Sequence, residues 1–189
     1  MKNSFTLKSQ IPNFITLIRL FLIIPIVIFL LGENFFIASW LFLLSATTDI
    51  LDGFIAKKIN AVTKFGSIID PIADKILLVS CFTVLTFLGY IPLWLCILVV
   101  FRDLVIVAAV TGYFLLSETT KIKPSKMSKL NTFVQISLVL YVMIASQFHF
   151  EHSIETVLVA LVATTTLASG LGYAVLWIRK AYENIKSSN

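Results

Sequence analysis

Six long apolar runs govern what this chain can fold into. They cover about residues 12–31, 35–54, 70–89, 92–116, 130–147 and 156–178 of a 189-residue sequence. A helix that spans a bilayer needs about 20 predominantly apolar residues, and each run is of that order. Composition points the same way. Charged residues make up 13% of the chain and hydrophobic ones 58%, against roughly a quarter charged in soluble domains. The expected fold class is therefore an all-α integral membrane protein with six transmembrane helices, forming a single domain over 1–189. The first run has an apolar core longer than that of a signal peptide, and no small-x-small cleavage site follows it, so it is predicted to be a retained helix. Cys81 and Cys96 both lie inside apolar runs and read as small buried hydrophobes, not as a disulfide or metal site.

The basic residues orient the helices. Lys2 and Lys8 precede the first run; Lys57, Lys58 and Lys64 lie between the second and third. Lys121, Lys123, Lys126 and Lys129 lie between the fourth and fifth, and Arg179, Lys180 and Lys186 follow the sixth. The alternate connections, around Gly32-Glu33-Asn34, Gly89-Tyr90-Ile91 and 148–155, carry no Lys or Arg. This positive-inside pattern predicts that both termini and both basic loops are cytoplasmic. The net charge of +5 is thus a topology and anionic-lipid signal. It does not point to nucleic acid, because no basic face with interleaved aromatics stands outside the apolar runs. A short chain without a transit peptide points to a bacterial inner (cytoplasmic) membrane.

Ionisable residues in membrane segments are costly and mark function by default. Asp49 and Asp52 are spaced i, i+3 at the predicted cytoplasmic end of the second run. Asp70 and Asp74 are spaced i, i+4 at the start of the third. Each pair shares one helix face. Consecutive helices joined by a short loop run antiparallel, so the two pairs are expected to meet at one membrane face. Four carboxylates together need positive charge or raised pKa values. Hard oxygen ligands suit Mg²⁺ or Mn²⁺, with Ca²⁺ the other hard cation. Two divalent ions balance four negative charges and can bridge phosphate oxygens. Local alternatives exist. Asp70-Pro71 has the form of a helix N-cap with Pro at the first helical position, and Asp49 or Asp52 could pair with Lys57 or Lys58. Neither explains all four together.

These residues read Asp49-x-x-Asp52-Gly53-x-x-Ala56-Lys57, then eight residues, then Gly66-x-x-x-Asp70-x-x-x-Asp74. The pattern resembles the signature of the CDP-alcohol phosphatidyltransferase family, with Lys57 where the family usually has Arg. The six-helix plan is similar too. The resemblance implies an enzyme that binds CDP-diacylglycerol, transfers its phosphatidyl group to an alcohol and releases CMP. It implies two Mg²⁺ or Mn²⁺ ions held by Asp49, Asp52 and Asp70 with Asp74 near them, and Asp74 as general base. It places Asp52, Gly53, Ala56, Lys57, Gly66 and Thr16 around the CDP-lipid, at the cytoplasmic face. It also implies a homodimer. Lys offers a point charge where Arg offers a planar fork, so Lys57 is expected to hold its partner less tightly.

Three further stretches bear on the acceptor. Asn13, Thr16 and Arg19 share a helix stripe; this start is similar to the family's glycerol-acceptor branch, with capping by Asn13 and a snorkelling Arg19 as the local alternative. Arg102 and Asp103 interrupt an apolar run; they either pair with each other or aim Arg102 at a phosphate. Enzymes of the family that make phosphatidylglycerophosphate often carry a second Arg where this chain has Val110. Lys123, Pro124, Ser128, Lys129, Asn131, Thr132 and Gln135 resemble a stretch of the CMP-forming cardiolipin synthase branch. In that branch the acceptor is phosphatidylglycerol, and Arg102, Lys129 and Asn131 are the acceptor or phosphate-binding candidates. Asn131 and Gln135, at i, i+4, bind a head group or bond across helices. Phosphatidylglycerol leads as acceptor and glycerol 3-phosphate follows. A divalent-cation or proton transporter is the reading from another class. It predicts polar residues through the full membrane depth and repeat symmetry, and neither is present in the sequence.

Overall fold

The computed structural model describes residues 18–58, 66–116, 126–148 and 152–187, with side chains over 18–48, 75–107, 127–148 and 153–172. All secondary structure among these residues is helical. The helices are α1 (Ile18–Leu31), α2 (Phe35–Lys58), α3 (Gly66–Phe87), α4 (Leu93–Leu116), α5 (Lys126–Phe148) and α6 (His152–Ser187). Each contains one of the six apolar runs or most of it. Helices α3 and α5 begin four residues before the predicted runs at 70 and 130, and α6 continues past 178. Apolar counting stops at the first polar residues, whereas i→i−4 hydrogen bonding carries a helix on through them. One local alternative is corrected by this. Helix α3 starts at Gly66, so Asp70 stands one turn inside the helix and is not its N-cap.

Within the described residues, Met127–Phe148 and Ser153–Gly172 are long and apolar enough to cross a bilayer. Ile18–Leu31, Phe35–Thr48 and Lys75–Phe87 are shorter apolar stretches. The distribution of exposure is inverted relative to a water-soluble protein. Phe87 is 81% exposed and Phe133 67%, with Phe21, Trp40, Phe101 and Leu171 exposed as well, while Arg19, Arg102, Asp103, Asn131 and Gln135 are buried. Large exposed apolar surface is ordinarily a liability; it suits helices whose solvent is hydrocarbon, where polar groups turn inward.

The chain divides into two compact units. One comprises Met1–Ile91 with Val139–Phe150, the other Pro92–Leu138 with Glu151–Asn189. In the first, the buried residues recur at helical spacing: Ile26 and Leu30 on α1, Ala38 and Phe42 on α2, Leu78, Phe82 and Leu85 on α3. Cys81 is buried with them and Cys96 is buried in the second unit; both are free thiols. The α1–α2 turn falls at Gly32-Glu33-Asn34. Glu33 takes a positive φ of 54°, the Asn34 N–H donates to the Phe29 carbonyl at 2.8 Å, and Asn34 Oδ1 caps α2 by accepting from the Ile37 N–H at 3.4 Å. The α3–α4 turn uses Gly89 at φ 85°, which lets the Tyr90 N–H close onto the Leu85 carbonyl at 2.9 Å. The Tyr90 ring then meets Phe35 edge-on, with centroids 5.2 Å apart.

In the second unit α4 packs on α6. Its buried stripes are Leu95, Val99 and Arg102 on α4, Asn131, Gln135 and Leu138 on α5, and Val162, Thr166 and Ser169 on α6. Each follows the i, i+3, i+4, i+7 rule for one helix face. Apolar residues fill one end of these stripes and polar residues the other, which gathers the polar side chains of the three helices at one level.

Candidate functional site

Polar side chains of α4, α5 and α6 meet around Arg102, which is 4% exposed. Its Nη1 donates to Asp103 Oδ1 at 2.7 Å, forming a buried ion pair. Its Nη2 donates to Ser128 Oγ at 2.8 Å and to Ser169 Oγ. Guanidinium carries five donors in a rigid fork, so one residue ties three helices together. Gly170 lies beside the stem, where a Cβ would make only an ordinary van der Waals contact with Arg102 Cγ at 3.9 Å. Arg102 Nε has no hydrogen-bond partner among the described residues.

One turn along α5, Asn131 Oδ1 accepts from Thr166 Oγ1 at 2.9 Å and lies 2.8 Å from Thr165 Oγ1. The single Thr165 hydroxyl proton is shared with the Leu161 carbonyl at 2.7 Å. These contacts orient the Asn131 amide. Its Nδ2 has no partner among the described residues, and neither Nε2 nor Oε1 of Gln135 has one. Both amides are fully buried. A buried donor or acceptor left unsatisfied costs about 1–3 kcal/mol, so this cluster is held at an energetic cost that a bound group can relieve.

The two alternatives for Arg102 are thus not exclusive. It pairs with Asp103 and still presents a free Nε–H. For Asn131, bonding across helices is what the structure contains, through its carbonyl alone. Lys129 is exposed and the cluster does not include it. Arg19 is 1% exposed, which excludes the snorkelling alternative, since a snorkelling head reaches solvent. Thr165, Thr166 and Ser169 escaped the reading of the sequence. Their signal was present: hydroxyls at helical spacing within an otherwise apolar span.

Asp49, Asp52, Gly53, Ala56 and Lys57 lie on α2; Gly66 opens α3, and Asp70 and Asp74 lie on its first turns. Their side chains, like that of Val110 on α4, are outside the described residues, as are Asn13, Thr16, Lys123 and Pro124 altogether. Helical backbone through both acid pairs keeps the i, i+3 and i, i+4 spacings meaningful as shared faces. Among residues with described side chains there is no group of three or more His, Cys, Asp or Glu able to hold a metal.

The comparisons with known proteins cover nearly the whole chain. The family model described as CDP-alcohol phosphatidyltransferase matches residues 9–178. The human protein "Cardiolipin synthase (CMP-forming)" is 35% identical over 180 aligned residues, 86% of this chain and 60% of the human protein. The rat protein of the same name is 34% identical over 188 residues, 90% of this chain and 62% of that protein. The chain therefore spans about three fifths of the length of these two relatives. "CDP-diacylglycerol--glycerol-3-phosphate 3-phosphatidyltransferase" of Rickettsia prowazekii (strain Madrid E) is 36% identical over 140 residues, 69% of this chain and 72% of that protein. On the extent of the family match and on these identities, the chain belongs to the CDP-alcohol phosphatidyltransferase family.

Proposed function

We propose that this protein moves the phosphatidyl group of CDP-diacylglycerol to a glycerol-type hydroxyl and releases CMP, with phosphatidylglycerol as the acceptor. The observation that carries the reading is the acidic and small-residue signature on α2 and α3, matched at seven of its eight positions with Lys57 the exception, within a chain of this family. In the reaction, the acceptor hydroxyl loses its proton to Asp74, and its oxygen attacks the phosphorus that bears the diacylglycerol. The bond from that phosphorus to the bridging oxygen of the pyrophosphate breaks, and CMP leaves with that oxygen. Asp74 ends protonated and returns its proton to solvent. A base must lie within hydrogen-bond reach of the proton it removes, and in such transfers the protein contributes mainly positioning and charge stabilisation.

Asp49, Asp52, Asp70 and Asp74 form an all-oxygen donor set that fits Mg²⁺ or Mn²⁺. When bound, two such ions would neutralise the pyrophosphate charge. Asp52, Gly53, Ala56, Lys57, Gly66 and Thr16 border the CDP-lipid, and Arg102, Lys129 and Asn131 serve the acceptor. The chain forms one six-span domain with cytoplasmic termini in a bacterial inner membrane, its active site at the cytoplasmic face, and works as a homodimer. Glycerol 3-phosphate is the competing acceptor, favoured by the Rickettsia relative.

The test is CMP release by purified protein given CDP-diacylglycerol, Mg²⁺ or Mn²⁺, and each acceptor separately. Release with phosphatidylglycerol is expected; no release with any acceptor would overturn the reading. Asp74→Asn is expected to abolish turnover while CDP-lipid binding stays measurable, and near-normal turnover would refute the base assignment.

A further inference from the structure

The buried atoms of the second unit that make no hydrogen bond include three donors, Arg102 Nε, Asn131 Nδ2 and Gln135 Nε2, and two acceptors, Gln135 Oε1 and the second carboxylate oxygen of the ion-paired Asp103. They also form a descending series. Ser128, Asn131 and Gln135 are spaced i, i+3, i+7 on α5 and share a face. At 1.5 Å rise per residue, Asn131 lies about 4.5 Å and Gln135 about 10.5 Å deeper along α5 than Ser128, the level of the guanidinium.

The register with α6 explains why Gln135 finds no partner. Asn131 stands beside Thr165 and Thr166, and Ser128 and Ser169 share Arg102. Both pairings put Val162 at the level of Gln135, and Val162 is fully buried. On α4 the buried residues beyond Arg102 are Val99, Cys96 and Leu95, of which only the Cys96 thiol has any polarity, as a weak donor. Among the described residues neither neighbouring helix offers a strong hydrogen-bonding group at that depth, yet Gln135 occupies a position where Leu or Met would fit the stripe.

We propose that Asn131 and Gln135 are the residues that recognise the acyl-ester carbonyls of a diacyl glycerophospholipid acceptor while Arg102 Nε–H meets its phosphodiester. The inference rests on the transferase reading above and names the acceptor class for it. Phosphodiester oxygens and ester carbonyls accept hydrogen bonds and donate none, matching the excess of donors. The depth matches too. The polar layer of one leaflet is about 5–7 Å thick, so a phosphate at the guanidinium places the ester carbonyls about one turn further in, at the level of Asn131 and within reach of the Gln135 side chain, since helical side chains lean towards the N-terminus. Glycerol 3-phosphate has no acyl ester and leaves both amides unsatisfied.

The experiment compares diacyl phosphatidylglycerol with its dialkyl ether analogue, which keeps the head group, phosphodiester and chains and lacks both carbonyls. The full chain in detergent micelles receives CDP-diacylglycerol and Mn²⁺, and kcat/KM for each acceptor is read from CMP release. The native protein should prefer the ester lipid by about fivefold, the size of one neutral hydrogen bond, and Gln135→Met, which keeps volume, should remove that preference. Equal use of ester and ether lipids by the native protein would overturn the proposal while leaving phosphatidyl transfer intact, and needs no variant to fold. So would an ester preference that survives in Gln135→Met, or CMP release with glycerol 3-phosphate alone. Absence of CMP with every acceptor would instead overturn the transferase reading, and this proposal with it.

Discussion

The Arg102–Asp103 pair offers the sharpest test of the packing argument. Both residues are buried, and the guanidinium also bonds Ser128 and Ser169. Arg102→Met keeps the apolar stem and removes the charge, so Asp103 stays buried without its cation. Breaking a buried pair from one side costs about 3–5 kcal/mol, whereas replacing both members by apolar residues is often near neutral. The double variant Arg102→Met/Asp103→Leu should therefore be more stable than Arg102→Met by about 2 kcal/mol, a recovery that only a coupled pair produces. The measurement is unfolding of the full chain by SDS titration in mixed micelles, followed by tryptophan fluorescence. A double variant no more stable than Arg102→Met would refute the view that the pair is a single energetic unit. It would mean that the bonds to the two serines carry the stabilisation.

Other expectations concern single contacts. Thr166→Val removes one donor to Asn131 Oδ1 and should lower stability by about 1 kcal/mol in the same titration; no change would show that the Thr165 contact suffices. Glu33 is held at φ 54°, where side chains cost about 1–2 kcal/mol. Glu33→Gly should leave stability unchanged or raise it, and a clear loss would show that the carboxylate makes a compensating contact. Val110→Arg, two turns past Arg102 on α4, is predicted to improve use of glycerol 3-phosphate in the CMP assay; an unchanged acceptor preference removes the argument from that position.

What the sequence determined by itself is the helical plan and the family to which the chain belongs. Hydrocarbon leaves a spanning segment little choice but helix, so the six apolar runs could be read without knowing any contact. The same cost of burying charge made Asp49, Asp52, Asp70 and Asp74 conspicuous, and their spacing on α2 and α3 needed only the helical repeat. The register between helices was not legible, because it is set by which side chains interlock across α4, α5 and α6. Thr165, Thr166 and Ser169 read as ordinary hydroxyls until the tertiary structure set them against Asn131 and Arg102. Gln135 is the clearest case. In the sequence it is a polar residue in a basic loop's wake; in the fold, Val162 at its level deprives it of any partner on α6. An unsatisfied amide is a property of its surroundings, and only the packing of neighbouring helices creates it.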